Sequence, residues 1–456
     1  MGRRVHGLET EYGLIVATET PQGWRRVGND EAARILFGPV VEENASTSVF
    51  LRNGGRLYLD VGSHPEYATA ECDRLVDLVA QDAAGDRILT SLARRASEQL
   101  ASERVTVRIS LFKNNVDSHG NAWGSHENYQ VPRALDLGSW EALTPFLVTR
   151  SLVTGAGRWT PAGFQLSQRA DHLWDPLSST TTRSRPMINT RDEPHADPLL
   201  FRRLHVISGD SSLSETTVLM KFGMTDLVLA AIEDGHDFAA WALADPTTAV
   251  RLVSRDVRGR VRLELARGGV ASPLDVQRGF HAVAGQYVGD DPELARVHEL
   301  WGRALEAVAD DRLDRIERWV DWATKLRVID GLAERGAGPG KLAQADIAHH
   351  DLADGLFARL ASTGHVDRVV DEDAVSRAVE AAPATTRAVL RSRLVTAAQR
   401  FQRSYGVDWM TFTCHDLPDG VVICPDPLAA EDPRVDALIE RMANEPRRPG
   451  SAVFAG

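Results

Sequence analysis

Acidic side chains at alternating positions are the clearest chemical feature of this chain. Glu9 and Glu11 lie two residues apart in VHGLETEYGLIVA; Arg56, Tyr58 and Asp60 repeat that spacing in RLYLD, and Glu66 follows after a Gly62/Pro65 turn. Residues two apart share one face of a β-strand. Each segment therefore reads as a strand with its polar groups on one side and Leu8, or Leu57 and Leu59, on the other. Hard cations such as Mg2+ take oxygen ligands, keep several waters and bridge substrate phosphates, which suits carboxylates projecting from one sheet face. A solvated sheet face carrying ordinary surface acids is the competing reading, and spacing alone leaves both standing.

Three further clusters are weaker. RDEPHAD (191–197) crowds Asp192, Glu193, His195 and Asp197 together, but Pro194 makes it a turn, and polar turns are usually solvated. In HHD (349–351) adjacent histidines on a helix do not share a face, so the pair reads as structural or surface. The glycine-rich GAGPGKL (336–342) has the wrong glycine spacing for a phosphate loop and Leu342 where Ser or Thr would meet magnesium. There is no GxSxG elbow, no GxGxxG after a strand and no kinase signature set. Without such a cradle, any nucleotide would be held through metals on the sheet face.

The elements that must position these residues follow from periodicity. After the strands near residues 6 and 56, apolar residues at helical spacing (Leu75, Leu78, Val79, Ile88, Leu89, Leu92) predict a helix over roughly 71–103. A third strand, VTVRISLF (105–112), runs into KNNVDSHGNAWGSHENYQV, which reads as a turn or long hairpin. GSHENY within it reads as either a functional loop or a packed turn. Strands are expected at 163–169, 186–191 and 202–208, with the Ser/Thr-rich SSTTTRSR as a loop between them. A helix follows over 214–233, and the chain is mostly helical to about 380. The plan is α+β, with a soft boundary that leaves residues 1–385 as a catalytic domain and 386–456 as a small C-terminal domain.

With 456 residues, 43% hydrophobic and 25% charged, the chain has the composition of an ordinary soluble enzyme-sized protein. A net charge of −12 without a basic stripe argues against nucleic acid. Cys72, Cys414 and Cys424 are far apart and show no paired spacing, as expected of a reducing cytoplasm. HGLETEYGL is too polar for a signal segment, and no apolar run is long enough to span a membrane.

GLETEYG, RLYLDVGSHPEYATAECD, LFKNNVDS, GSHENY, LSQRADH, TTRSRPMINTRDEPHAD and RRLHVISGD, with VDW near the C-terminus, resemble in order the family of Pup ligases and their sister Pup deamidases/depupylases. The resemblance implies a glutamine synthetase-like fold: a curved antiparallel sheet backed by helices, its concave face holding ATP and Mg2+, with a small C-terminal domain. It implies a ligase that phosphorylates the C-terminal glutamate of prokaryotic ubiquitin-like protein (Pup) with ATP. A substrate lysine then displaces the phosphate to form an isopeptide bond, marking the target for proteasomal degradation. Carried over by position, Glu9, Tyr58 and Glu66 would bind metal, with Glu11 on the same face. Arg56, Thr69 and Trp409 would contact ATP, the last from the C-terminal domain. Asp60 would be the base that accepts the lysine proton; the alternative for it is an outer metal or hydrogen-bonding role. Arg191, Arg203 and His205 would meet phosphates or metal-bound oxygens.

DWATKLRV (321–328) and GLFARLASTGHVDRVVDEDAV (355–375) look more like the hydrolase sister. Against this, the segment joining Glu11 to Arg56 reads as one short helix (DEAARILFGPVVEE) and little else, with no room for the extra loop of the hydrolase branch. The motif LDVGSHPEYAT also has the ligase form. These two features sit at the chemistry, so the ligase is the expected activity and the deamidase the alternative.

Overall fold

The computed structural model describes residues 3–180 and 185–447. Part of the expected Ser/Thr loop, residues 181–184, lies outside the described residues. The chain divides into two compact units: one takes Phe112–Asp192 and Leu204–Val369, the other Arg4–Leu111, Glu193–Arg203 and the chain from Val370.

The second of these contains the acidic strands. His6–Glu11, Pro65–Ala68, Arg56–Leu59 and Ser48–Phe50 lie side by side in that order, each pair antiparallel. The expected first strand is two: it breaks at Tyr12, which is fully buried and donates its hydroxyl to Asp86 at 2.7 Å. Gly13–Thr20 then joins Gly23–Arg26 and Val107–Phe112 in a separate three-stranded sheet. The segment between Glu11 and Arg56 is thus more structured than its sequence suggests. It holds two strands, the Asn29–Asn44 helix and the Ser48–Phe50 strand. Behind the acidic strands, the fully buried Tyr67 ring packs on Gly85 of the Leu75–Ser102 helix, where a Cβ would come within 2.3 Å of the ring. This is the helix layer that the apolar face requires.

The C-terminal segment closes around its own core. Helices Ala388–Arg400 and Pro433–Asn444 pack with strands Tyr405–Val407, Thr411–Cys414 and Val421–Ile423 about Leu394, Val395, Phe412, Val435 and Leu438.

In the other unit, His205 and Val206 pair antiparallel with Asn189 and Ile188, and Asp175–Ser178 pairs parallel with Pro186–Asn189. GSHENY is a strand rather than a loop: Ser125–Pro132 alternates buried and part-buried residues, burying Ser125, Glu127, Tyr129 and Val131. The Asn/Gly-rich residues before it hid this period-two signal. The strand expected at 163–169 ends at Gln165. Beyond it, the Asp210 carboxylate takes the backbone N–H groups of Gln168 and Arg169, pulling the chain into a turn. Helix Glu215–Glu233 is buried from Thr216 to Ile232 and forms the centre of a helical layer with Pro273–Ala284 and Pro292–Ala309. GAGPGKL is the start of a helix, with Pro339 in its first turn. HHD follows that helix with both histidines buried. No helix among the described residues is long and apolar enough to cross a membrane.

Candidate active site

Antiparallel register assembles the site from segments far apart in sequence. Glu11 lies opposite Glu66, and Glu66 opposite Tyr58, which in turn faces Ser48. One step along, Glu9, Ala68, Arg56 and Phe50 form the neighbouring row. The intervening positions, Thr10, Tyr67, Leu57 and Val49, turn to the opposite face and are buried. One face thus carries every sheet residue the spacing singled out.

Carboxylate oxygens of Glu11, Asp60 and Glu66 lie within 4.8 Å of one another. Glu66 is 2% exposed. Its burial, and next the charges of Glu9 and Glu11, raise its carboxyl well above the usual carboxylate range. Tyr58 is hydrogen-bonded to Glu66, and burial, followed by Glu9 and Glu66, raises its phenol far above an ordinary tyrosine. A buried carboxylate among like charges must hold a proton or share a cation. Asp60 leaves the strand into a tight turn, with its N–H donating to His64 O at 3.0 Å and its carbonyl accepting Ser63 N–H at 3.0 Å. Gly62 at φ +89° and Ser63 at φ +65° make this turn, and its shape keeps the Asp60 carboxylate beside Glu66.

Arg56 lies along the same face, donating to Ser48 Oγ at 2.8 and 3.1 Å, with its guanidinium 4.7 Å from the Tyr58 ring centroid and 5.5 Å from that of Phe50. Trp409 meets Phe50 edge-on at 5.0 Å. Arg203 approaches Glu9 at 3.7 Å and is held by Glu193 at 2.9 Å. Thr69 is buried, and its hydroxyl accepts the Leu8 N–H at 3.1 Å. Arg191 and His205 belong to the other unit. There Arg191 Nε donates to Ser179 O at 3.2 Å, while Asn189 donates to His205 Nδ1 at 3.2 Å and His126 meets the His205 ring edge-on at 5.2 Å.

Two features escaped the sequence reading. His195, in the RDEPHAD turn and not among the named contacts, has φ +48° and a ring centroid 6.5 Å from Trp409. Burial, and then Arg203, depress its pKa. The second is a buried ion cluster of Glu71 with Arg387 and Arg391. Two arginines four apart at a helix start, where the dipole disfavours cations, were the available signal.

The family model described as Pup-ligase protein matches residues 4–413. The chain belongs to the Pup-ligase family. It is 48% identical to the Pup–protein ligase of Actinosynnema mirum over 452 residues, covering 96% of this chain and 99% of that one. It is also 48% identical to Pup–protein ligase 1 of Rhodococcus erythropolis, over 97% of this chain and the whole of that one. Among solved structures, it matches the ligase PafA in complex with Pup at a TM-score of 0.90 and 41% identity, over 97% of this chain and 92% of that one. PafA in complex with ADP matches at 0.83 and 42%, over 92% and 94%. The α+β architecture of this Pup-ligase family member, strands backed by helices, is that of these structures.

Proposed function

We propose that this chain is an ATP- and Mg2+-dependent ligase that joins the C-terminal glutamate side chain of Pup to lysines of other proteins. The observation that carries the site assignment is the row Glu11–Glu66–Tyr58 with Asp60 beside it: converging oxygen donors, one of them a deeply buried carboxylate in need of a positive charge. This donor set fits a hard divalent cation. Glu9, Glu11 and Glu66 would hold Mg2+, with the Tyr58 oxygen next to them. Bound there, the metal would neutralise charge on the nucleotide phosphates.

The chain's own residues supply the rest. Arg56, on the same face, offers a guanidinium to phosphate oxygens, and Arg203 a second one beside Glu9. Trp409 gives a nucleotide an aromatic surface, so that residues 386–456, reading as a small domain, complete the site. Thr69 borders it at the strand end. The Pup glutamate γ-carboxylate attacks the γ-phosphorus of ATP, ADP leaves, and a γ-glutamyl phosphate forms. A lysine amine then attacks the acyl carbon and phosphate departs. Lysine is protonated at neutral pH, with a reference pKa of about 10.4, so a base is required. Asp60, on an open turn beside the buried acids, would take that proton. The three free cysteines accord with a reducing, cytoplasmic setting.

Incubation with ATP, Mg2+, a modifier ending in glutamate and a lysine-bearing target should yield a conjugate lighter than its parts by one water. Release of modifier from a preformed conjugate, or conversion of a C-terminal glutamine to glutamate, without any conjugation, would assign the deamidase reaction instead.

A further inference from the structure

Glu71 lies two residues beyond Thr69 and is buried. Its Oε1 accepts Arg387 Nε at 2.9 Å and Arg391 Nη1 at 3.0 Å, and its Oε2 accepts Arg391 Nη2. Burial by itself would raise this carboxyl, but Arg391 and Arg387 outweigh it and hold the pKa at about 2, so Glu71 stays ionised. Each arginine then reaches past it. Arg391 donates to Trp409 O at 2.9 Å and places its guanidinium 4.9 Å from the Trp409 ring centroid and 5.2 Å from that of Phe50. Arg387 donates to Cys424 O at 3.1 Å and His195 O at 2.5 Å, pinning His195 in its left-handed conformation. Both guanidinium groups are almost fully buried, at 3% and 4% side-chain exposure. Buried cations without a counter-charge are strongly destabilising, so their placement depends on this carboxylate.

We propose that Glu71 is a positioning residue for the nucleotide: through Arg391 and Arg387 it fixes the Trp409 ring and the His195 backbone in the geometry that receives ATP. This rests on the reading of Trp409 as part of the nucleotide site. Glu71 touches neither the reacting atoms nor the metal-binding row, so its loss should act on nucleotide binding rather than on the chemical step.

The test is steady-state conjugation with purified full-length chain, titrating ATP and modifier separately, for Glu71→Gln, Glu71→Asp, Trp409→Ala and Glu71→Gln/Trp409→Ala. Glu71→Gln should raise the KM for ATP by about tenfold or more, as expected for loss of a charged hydrogen-bonding partner. The KM for modifier and kcat should change little. Glu71→Asp retains the charge but withdraws it by one methylene, so it should fold and show a smaller rise in the same parameter. The double variant should raise the KM for ATP by less than the product of the two single effects, because both act in part through the same ring. If Trp409→Ala raises the KM for ATP while Glu71→Gln and Glu71→Asp lower only thermal stability, Glu71 is structural and the proposal falls while the nucleotide site stands. Should Glu71→Gln not fold, Glu71→Asp decides: an unchanged KM for ATP overturns the proposal. Unchanged ATP affinity in Trp409→Ala would overturn the nucleotide reading, and the proposal with it.

Discussion

Replacing Glu66 by Gln should stabilise the protein without divalent metal and abolish its response to Mg2+. The amide keeps the side chain's shape and can still accept the Tyr58 hydroxyl, but removes one charge from the row. Glu66, Glu11 and Asp60 have oxygens within 4.8 Å of one another, and at an effective dielectric of about 20 a pair of unit charges at that distance repels by about 3.5 kcal/mol. The penalty has a ceiling. Once ionisation costs more than protonation, the carboxyl takes up a proton, which limits the cost at pH 7 to about 1.4 kcal/mol per unit above pH ~4.3, or about 3.7 kcal/mol. Because the folded-state pKa is raised, the folded protein holds more protons than the unfolded chain above that pH, and stability falls as pH rises. Glu66→Gln removes this term, so a gain of about 1–4 kcal/mol is expected at pH 7 in chelator. On the proposed metal site, Mg2+ should stabilise the parent by binding the folded state alone, and leave the variant unmoved. Urea unfolding followed by circular dichroism, with EDTA and with Mg2+, measures both. A variant less stable than the parent in EDTA, or equally stabilised by Mg2+, would refute the metal site.

Three other outcomes follow from the same structure. Asp60→Asn should retain ATP binding, measured by calorimetry, yet lose lysine conjugation by about a hundredfold or more, since an amide cannot take the proton; conjugation at the parental rate would remove Asp60 as base. Burial, and then Lys325, hold His349 and His350 neutral in the fold, their pKa values well below that of a free histidine. The unfolded chain protonates them near pH ~6.5, so the pair's contribution to stability is full above that pH and should fall by about 1–3 kcal/mol between pH 7.5 and 5.5. Asp321, raised by burial to about 6, and Glu66, raised by burial and the neighbouring glutamates, work the other way. The pair's share is the difference in pH dependence of the urea midpoint between the parent and His349→Gln/His350→Gln; an equal dependence would contradict the buried neutral pair. Gly85→Ala would place a Cβ 2.3 Å from the Tyr67 ring. It should cost about 1–3 kcal/mol in urea unfolding, and an unchanged midpoint would show that the ring can yield.

Much of the site was legible from local pattern. Side-chain direction in a strand repeats every two residues, so the spacing of Glu9 with Glu11, and of Arg56, Tyr58 and Asp60, put each group on one face before any partner was known. The helix of residues 75–102 was equally visible, because its apolar stripe is a property of consecutive residues. Where the local signal was mixed, the reading failed: Ser125–Pro132 is a strand hidden behind turn-forming residues, and the strand from His6 stops at Tyr12 because that ring turns inward to Asp86. Other features had no local trace at all. That Glu11 stands opposite Glu66 rather than a neighbour is a matter of register between strands far apart in sequence. Glu71 reaches Arg387 and Arg391 across 316 and 320 residues, and His195 became a neighbour of Trp409 only when the C-terminal segment packed beside it. Chain periodicity determined which side chains face the same way; tertiary packing decided which of those faces meet, because the energy of a buried charge depends on partners that sequence distance does not specify.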